Sequence, residues 1–89
     1  MELRFTKTFL KDLAKVQPTK RRKRIEEFVF EIMPLSVSLE SLGLAEKMTG
    51  YENFYKIRFG DYRIGLNKTS THIELMKVLH RKEIYKVFP

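Results

Sequence analysis

With 89 residues, 43% of them hydrophobic and 33% charged, the chain has room for one modest core and not for two. No apolar run approaches the roughly 20 residues that span a bilayer, and Met1-Glu2-Leu3-Arg4-Phe5 lacks the basic and apolar regions of a secretory signal, so a cytoplasmic protein with no membrane partner is expected. A formal charge of +7 draws the molecule to polyanions, nucleic acid first and an acidic protein next, while the lack of Cys excludes thiol chemistry and two distant histidines, His72 and His80, imply neither metal nor cofactor.

Leu3 and Phe5 alternate with Glu2 and Arg4, which suits a short first strand. Thr6 or Thr8 can cap a helix in which Phe9, Leu10, Leu13, Ala14 and Val16 have helical spacing and which Gln17-Pro18 ends. Thr19 is the expected cap of a second helix running to about Met33, with Ile25, Phe28, Val29, Ile32 and Met33 along one face; Pro34 stops it. The pair reads as an antiparallel helical hairpin. Its second helix begins with Lys20-Arg21-Arg22-Lys23-Arg24, five residues that at about 100° each wrap right round the axis and cannot share one face. Cations at a helix N-terminus oppose the macrodipole, so this start projects either into water or toward a bound anion.

Residues 35–50 lose periodicity and read as a loop pinned by Leu39, Leu42 and Leu44. Two alternating runs then flank Gly60-Asp61, a two-residue hairpin loop in which Gly accepts the positive φ that matches strand twist. Phe59 should pair with Tyr62, Arg58 with Arg63, Ile57 with Ile64 and Lys56 with Gly65. One face then holds Tyr55, Ile57, Phe59, Tyr62, Ile64 and Leu66, and the other Lys56, Arg58 and Arg63, with open space at Gly65. Arg58 opposite Arg63 carries a local repulsion that a bound phosphate would relieve, or that long side chains would relax by splaying into water. The polar turn at residues 67–71 leads to a third antiparallel strand over residues 73–79, and Ile84, Val87 and Phe88 suit a short terminal turn or helix. The whole is expected to be α+β: one domain, 1–89, with the helical hairpin packed on the greasy face of a small, mainly antiparallel sheet.

Lys47-Met48-Thr49-Gly50, Tyr55-Lys56-Ile57-Arg58, Gly60-Asp61-Tyr62-Arg63-Ile64 and the ending His80-Arg81-Lys82-Glu83-Ile84-Tyr85 resemble, in order and spacing, the RelE/ParE superfamily of toxin–antitoxin toxins, the ending being more RelE-like than ParE-like. The resemblance covers essentially the whole chain. It implies ribosome-dependent endonucleolytic cleavage of mRNA, restrained by a cognate, acidic, RelB-like antitoxin. It places the family's paired basic positions on Lys56 and Arg58, its phosphate-stabilising arginine on Arg63, its second arginine on Arg81 and its terminal tyrosine on Tyr85. RNA contacts are expected from Lys20, Arg21, Arg22, Lys23, Arg24 and Lys82. Two departures stand out: relatives commonly carry two lysines where this chain has Lys56 and Arg58, and a bulky aliphatic and a tyrosine where it has Gly65-Leu66.

The chemistry suits those side chains in its own right. Attack by a ribose 2′-OH needs a base, cations to hold charge on the phosphorane, and an acid for the 5′-oxygen, and it yields a 2′,3′-cyclic phosphate and a 5′-OH. Arginine stays protonated, so Arg58, Arg63 and Arg81 can clamp phosphate but cannot act as bases. That leaves Lys56, crowded by like charges that disfavour its cationic form, and His80, an imidazole that titrates near neutrality by nature. Tyr85 could stack on a base, position the 2′-OH or take part in proton transfer. Plainer roles exist for each: a strand-end hydrogen bond for His80, packing for Tyr85, an ion pair with Glu83 or Glu74 for Arg81. A ParE-like topoisomerase inhibitor and a non-catalytic RNA-binding module are the alternative functions.

Overall fold

The computed structural model describes all 89 residues, Met1–Pro89. In chain order the elements are β1 (Leu3–Phe5), α1 (Lys7–Ala14), α2 (Thr19–Glu27), α3 (Leu39–Leu42), β2 (Ala45–Lys47), β3 (Phe54–Phe59), β4 (Tyr62–Lys68), β5 (Ile73–His80) and α4 (Arg81–Val87). The five strands form one mixed sheet in the order β1-β5-β4-β3-β2, in which β1 runs parallel to β5 and the other pairs are antiparallel. The fold is therefore α+β, as the patterning indicates. No helix is long and apolar enough to cross a membrane.

Thr6 does cap α1: its Oγ1 accepts the Phe9 N–H at 3.0 Å and donates to the Leu75 carbonyl at 3.1 Å, tying the helix start to β5. At α2 the cap position is Pro18 rather than Thr19, and no side chain satisfies the first amides. The helical path continues beyond Glu27 as a π-helical turn over Phe28–Ile32 and a tight turn over Met33–Leu35. In the π turn the Met33 N–H reaches back to the Phe28 carbonyl. This wider winding keeps Met33 in the core and turns Ile32 out, 48% exposed, against the regular helical spacing.

Residues 35–50 are more ordered than a pinned loop. Ser38 and Ser41 cap each other across the single turn of α3, Gly43 closes it at φ +72°, and β2 then pairs with β3 as an edge strand. Leu39 is buried as expected, but Leu44 is exposed.

The β3–β4 register is the expected one at every pair, from Phe59↔Tyr62 to Lys56↔Gly65, turning on Gly60 at φ +63°. Ile57, Ile64 and Leu66 enter a core with Phe9, Leu13, Val16, Ile25, Phe28, Val29 and Met33 from the helical side. β5 carries one extra residue: Gly65 pairs with Lys77 and Leu66 with Leu75, leaving Met76 as a bulge. On the opposite face of the sheet α4 folds back and buries Ile84 and Phe88. The space at Gly65 is not open, because a Cβ there would lie 2.8 Å from the Phe88 ring.

Candidate functional site

Strand alternation puts Lys56, Arg58, Arg63 and Gly65 on the face away from the helical hairpin, where α4 covers part of the sheet. Lys56 Nζ donates to the Tyr85 hydroxyl at 3.1 Å and lies 5.2 Å from its ring centroid. That hydrogen bond and the lysine's charge hold the Tyr85 phenol below the ordinary tyrosine range. Arg63 adds a smaller pull, and partial burial opposes it. The ring remains exposed to an incoming molecule.

Arg63 departs from the splayed, crowded cation expected of it. It is 9% exposed, and its Nη1 donates to the carbonyls of Gly60 and Tyr62 at 2.8 and 2.9 Å, tying down the hairpin turn. Its Nε is buried without a partner. Arg58 swings the other way, and its Nε lies 3.4 Å from Glu46 on β2. The repulsion expected between the two arginines is thus relieved by carbonyls and a carboxylate. Glu46 escapes sequence reasoning because three residues of alternation are too short to declare an edge strand.

His80 stands apart from this group. In the ladder it pairs with Tyr62, on the face of the helical hairpin, and its ring meets the Tyr62 ring edge-on at 5.8 Å. Its Nδ1 accepts the Lys82 N–H at 3.2 Å and so caps α4, the strand-end role noted as its plainer alternative. Arg81 opens α4, exposed, and no carboxylate pairs with it: Glu83 faces Lys86, while Glu74 takes the Asn67 amide and faces His72. Its backbone N–H donates to the Asp61 carbonyl at 2.8 Å, fastening the start of α4 to the hairpin turn.

The basic run of α2 divides as its winding requires. Arg21 leans on the hairpin, 4.0 Å from Asp61 and 6.0 Å from the Tyr62 ring centroid, and Arg22 faces Glu26 at 3.9 Å one turn on. Lys20, Lys23 and Arg24 are exposed and unpaired, as is Lys82 on α4.

Comparison with known proteins agrees with this architecture. The family model described as the ParE toxin of type II toxin-antitoxin system, parDE, matches residues 3–85. Toxin RelE3 of Methanocaldococcus jannaschii is 47% identical over 90 residues, which cover 100% of both chains. Among solved structures, the RelB-RelE antitoxin-toxin complex from Methanococcus jannaschii contains a chain 46% identical, with a TM-score of 0.76 over 97% of this chain and 99% of that one. The toxin-antitoxin complex RelBE2 from Mycobacterium tuberculosis contains another, 26% identical, with a TM-score of 0.70 over 90% of this chain and 96% of that one. The chain belongs to the RelE/ParE superfamily and is a RelE-like toxin of a type II toxin–antitoxin system.

Proposed function

We propose that this toxin is an endoribonuclease that cuts mRNA held in the ribosome, in the cytoplasm, and that a cognate acidic, RelB-like antitoxin silences it. The observation that carries the reading is the Lys56–Tyr85 hydrogen bond beside the buried guanidinium of Arg63. A tyrosine whose phenolate is favoured by two cations reaches its proton-accepting form at lower pH than an isolated tyrosine does.

In the proposed reaction the ribose 2′-oxygen attacks the adjacent phosphorus while its proton passes to the Lys56–Tyr85 pair. The 2′-O–P bond forms, the P–O5′ bond breaks, and the 5′-oxygen takes a proton from water that the open site admits. Arg63, beside the pair, and Arg58, at the rim, supply the positive charge that the phosphorane needs. Arg81 holds the neighbouring phosphate, and the exposed Lys20, Lys23, Arg24 and Lys82 contact RNA backbone, Arg21 and Arg22 being tied to the protein. A site this open holds its substrate loosely, so alignment of the 2′-OH falls to the ribosome.

The test incubates the toxin with programmed ribosomes, with the same RNA free in solution, and separately with DNA gyrase and supercoiled plasmid. Fragments ending in a 2′,3′-cyclic phosphate and a 5′-OH, formed quickly only with ribosomes, support the reading. Intact message together with inhibited supercoiling would instead assign the protein to a ParE-like, topoisomerase-inhibiting class.

A further inference from the structure

Lys56 and Gly65 are direct cross-strand partners, so whatever stands above Gly65 stands beside Lys56. What stands there is Phe88, 6% exposed, at the end of α4. A Cβ at position 65 would fall 2.8 Å from Phe88 Cδ2 and Cε2 and 2.9 Å from Cζ, distances no side chain tolerates. The ring also meets Phe54 edge-on at 5.5 Å. The Phe88 N–H also donates to the Ile84 carbonyl at 2.8 Å, and Ile84 is itself buried, so the last turn of α4 seats as a unit. Tyr85 lies on the last turn of α4, and Phe88 is the extended C-cap residue that follows it, tied to that turn by its N–H. The ring over Gly65 and the phenol over Lys56 are thus carried by the same turn of chain.

We propose that the Gly65–Phe88 contact is a positioning lock: the hole left by a missing side chain in β4 fixes the register of α4, and that register places Tyr85 on Lys56. Gly65 and Phe88 touch no substrate; they act through Tyr85. The lock rests on packing alone, and its consequence for RNA cleavage rests on the proposed nuclease activity.

Two substitutions and a repair test the lock. Gly65→Ala pushes the ring out, Phe88→Ala removes it, and Gly65→Ala with Phe88→Leu returns much of the lost volume to the helix side. The ionisation of Tyr85, followed by phenolate absorbance against a Tyr85→Phe reference, reads its placement without any RNA. In both single variants Tyr85 should ionise at higher pH than in the wild type, and the double variant should move it back down. Ribosome-dependent cleavage should fall on the order of tenfold or more in the singles, in kcat rather than KM, and recover in part in the double. If Tyr85 ionises as in the wild type when Phe88 is Ala, the lock is refuted, even where melting temperature drops. Should Gly65→Ala fail to fold, the Phe88→Ala titration decides alone. Shifted titrations with no cleavage in any protein, wild type included, would keep the lock and overturn the nuclease.

Discussion

Replacing Arg63 by Ala tests whether this arginine is a crowded cation or a structural one, since the two descriptions predict opposite signs. Were it held against Arg58 by the fold alone, its removal would relieve repulsion and leave stability unchanged or raised. The structure instead gives it two short hydrogen bonds from a charged donor to the Gly60 and Tyr62 carbonyls, made at a nearly buried site. Bonds of that kind contribute about 1.5–3 kcal/mol each, and losing them strands two carbonyls of the turn; against this, the unpartnered Nε costs about 1–3 kcal/mol while it stays buried. At mid-range the balance is a loss of about 2.5 kcal/mol, or about 10–20 °C in melting temperature for a domain of this size. Calorimetry of Arg63→Ala beside Arg63→Met, which keeps most of the stem, separates the hydrogen bonds from the packing. Cleavage by the same variants should fall by on the order of a hundredfold, the scale of losing one donor to developing transition-state charge. A melting temperature equal to or above that of the wild type would refute the structural role, and normal cleavage would remove Arg63 from the site.

Other expectations separate the remaining side chains. Arg58→Ala, which breaks only an exposed contact with Glu46, should change stability by no more than about 0.5 kcal/mol in thermal melts, so a large loss would mean that the edge pairing of β2 depends on it. Single-turnover cleavage on ribosomes should rise with pH as Tyr85 ionises, with its midpoint below that of an ordinary tyrosine, because Lys56 and Arg63 favour the phenolate. Tyr85→Phe should lose that rise, and retaining it would assign the titration to another group. Association with an acidic antitoxin should slow as salt increases, since steering of a +7 protein acts on the on-rate; a salt-insensitive rate would place recognition on apolar surface away from the cationic face.

The β3–β4 hairpin was the most legible part of the chain, because a glycine of positive φ between two alternating runs fixes turn, register and faces together. What alternation cannot fix is where a long side chain ends. It assigned Lys56, Arg58 and Arg63 to one face, yet one guanidinium folds back onto the turn and another reaches across to Glu46. Elements of three or four residues, β2 and α3, lie below the length at which periodicity can be read. The π turn shows the same limit in a helix, since one wide turn sends Ile32 out while Met33 stays in.

His80 carries the lesson furthest. Strict alternation from Ile73 and Leu75 would put positions 77 and 79 in the core and His80 on the face of Lys56. The bulge at Met76 reverses the phase: Val78 is buried against Ile64, Lys77 and Leu79 stand across from Gly65 and Arg63, and His80 falls beside Tyr62. The same shift that removes an imidazole from the cationic face sets Lys77 and Leu79 there, so the face carries two lysines, of which Lys56 is the one that holds Tyr85. One inserted residue thus decides which side chains share the sheet face under α4, where Tyr85 sits on Lys56 while His80 is turned toward the helical hairpin.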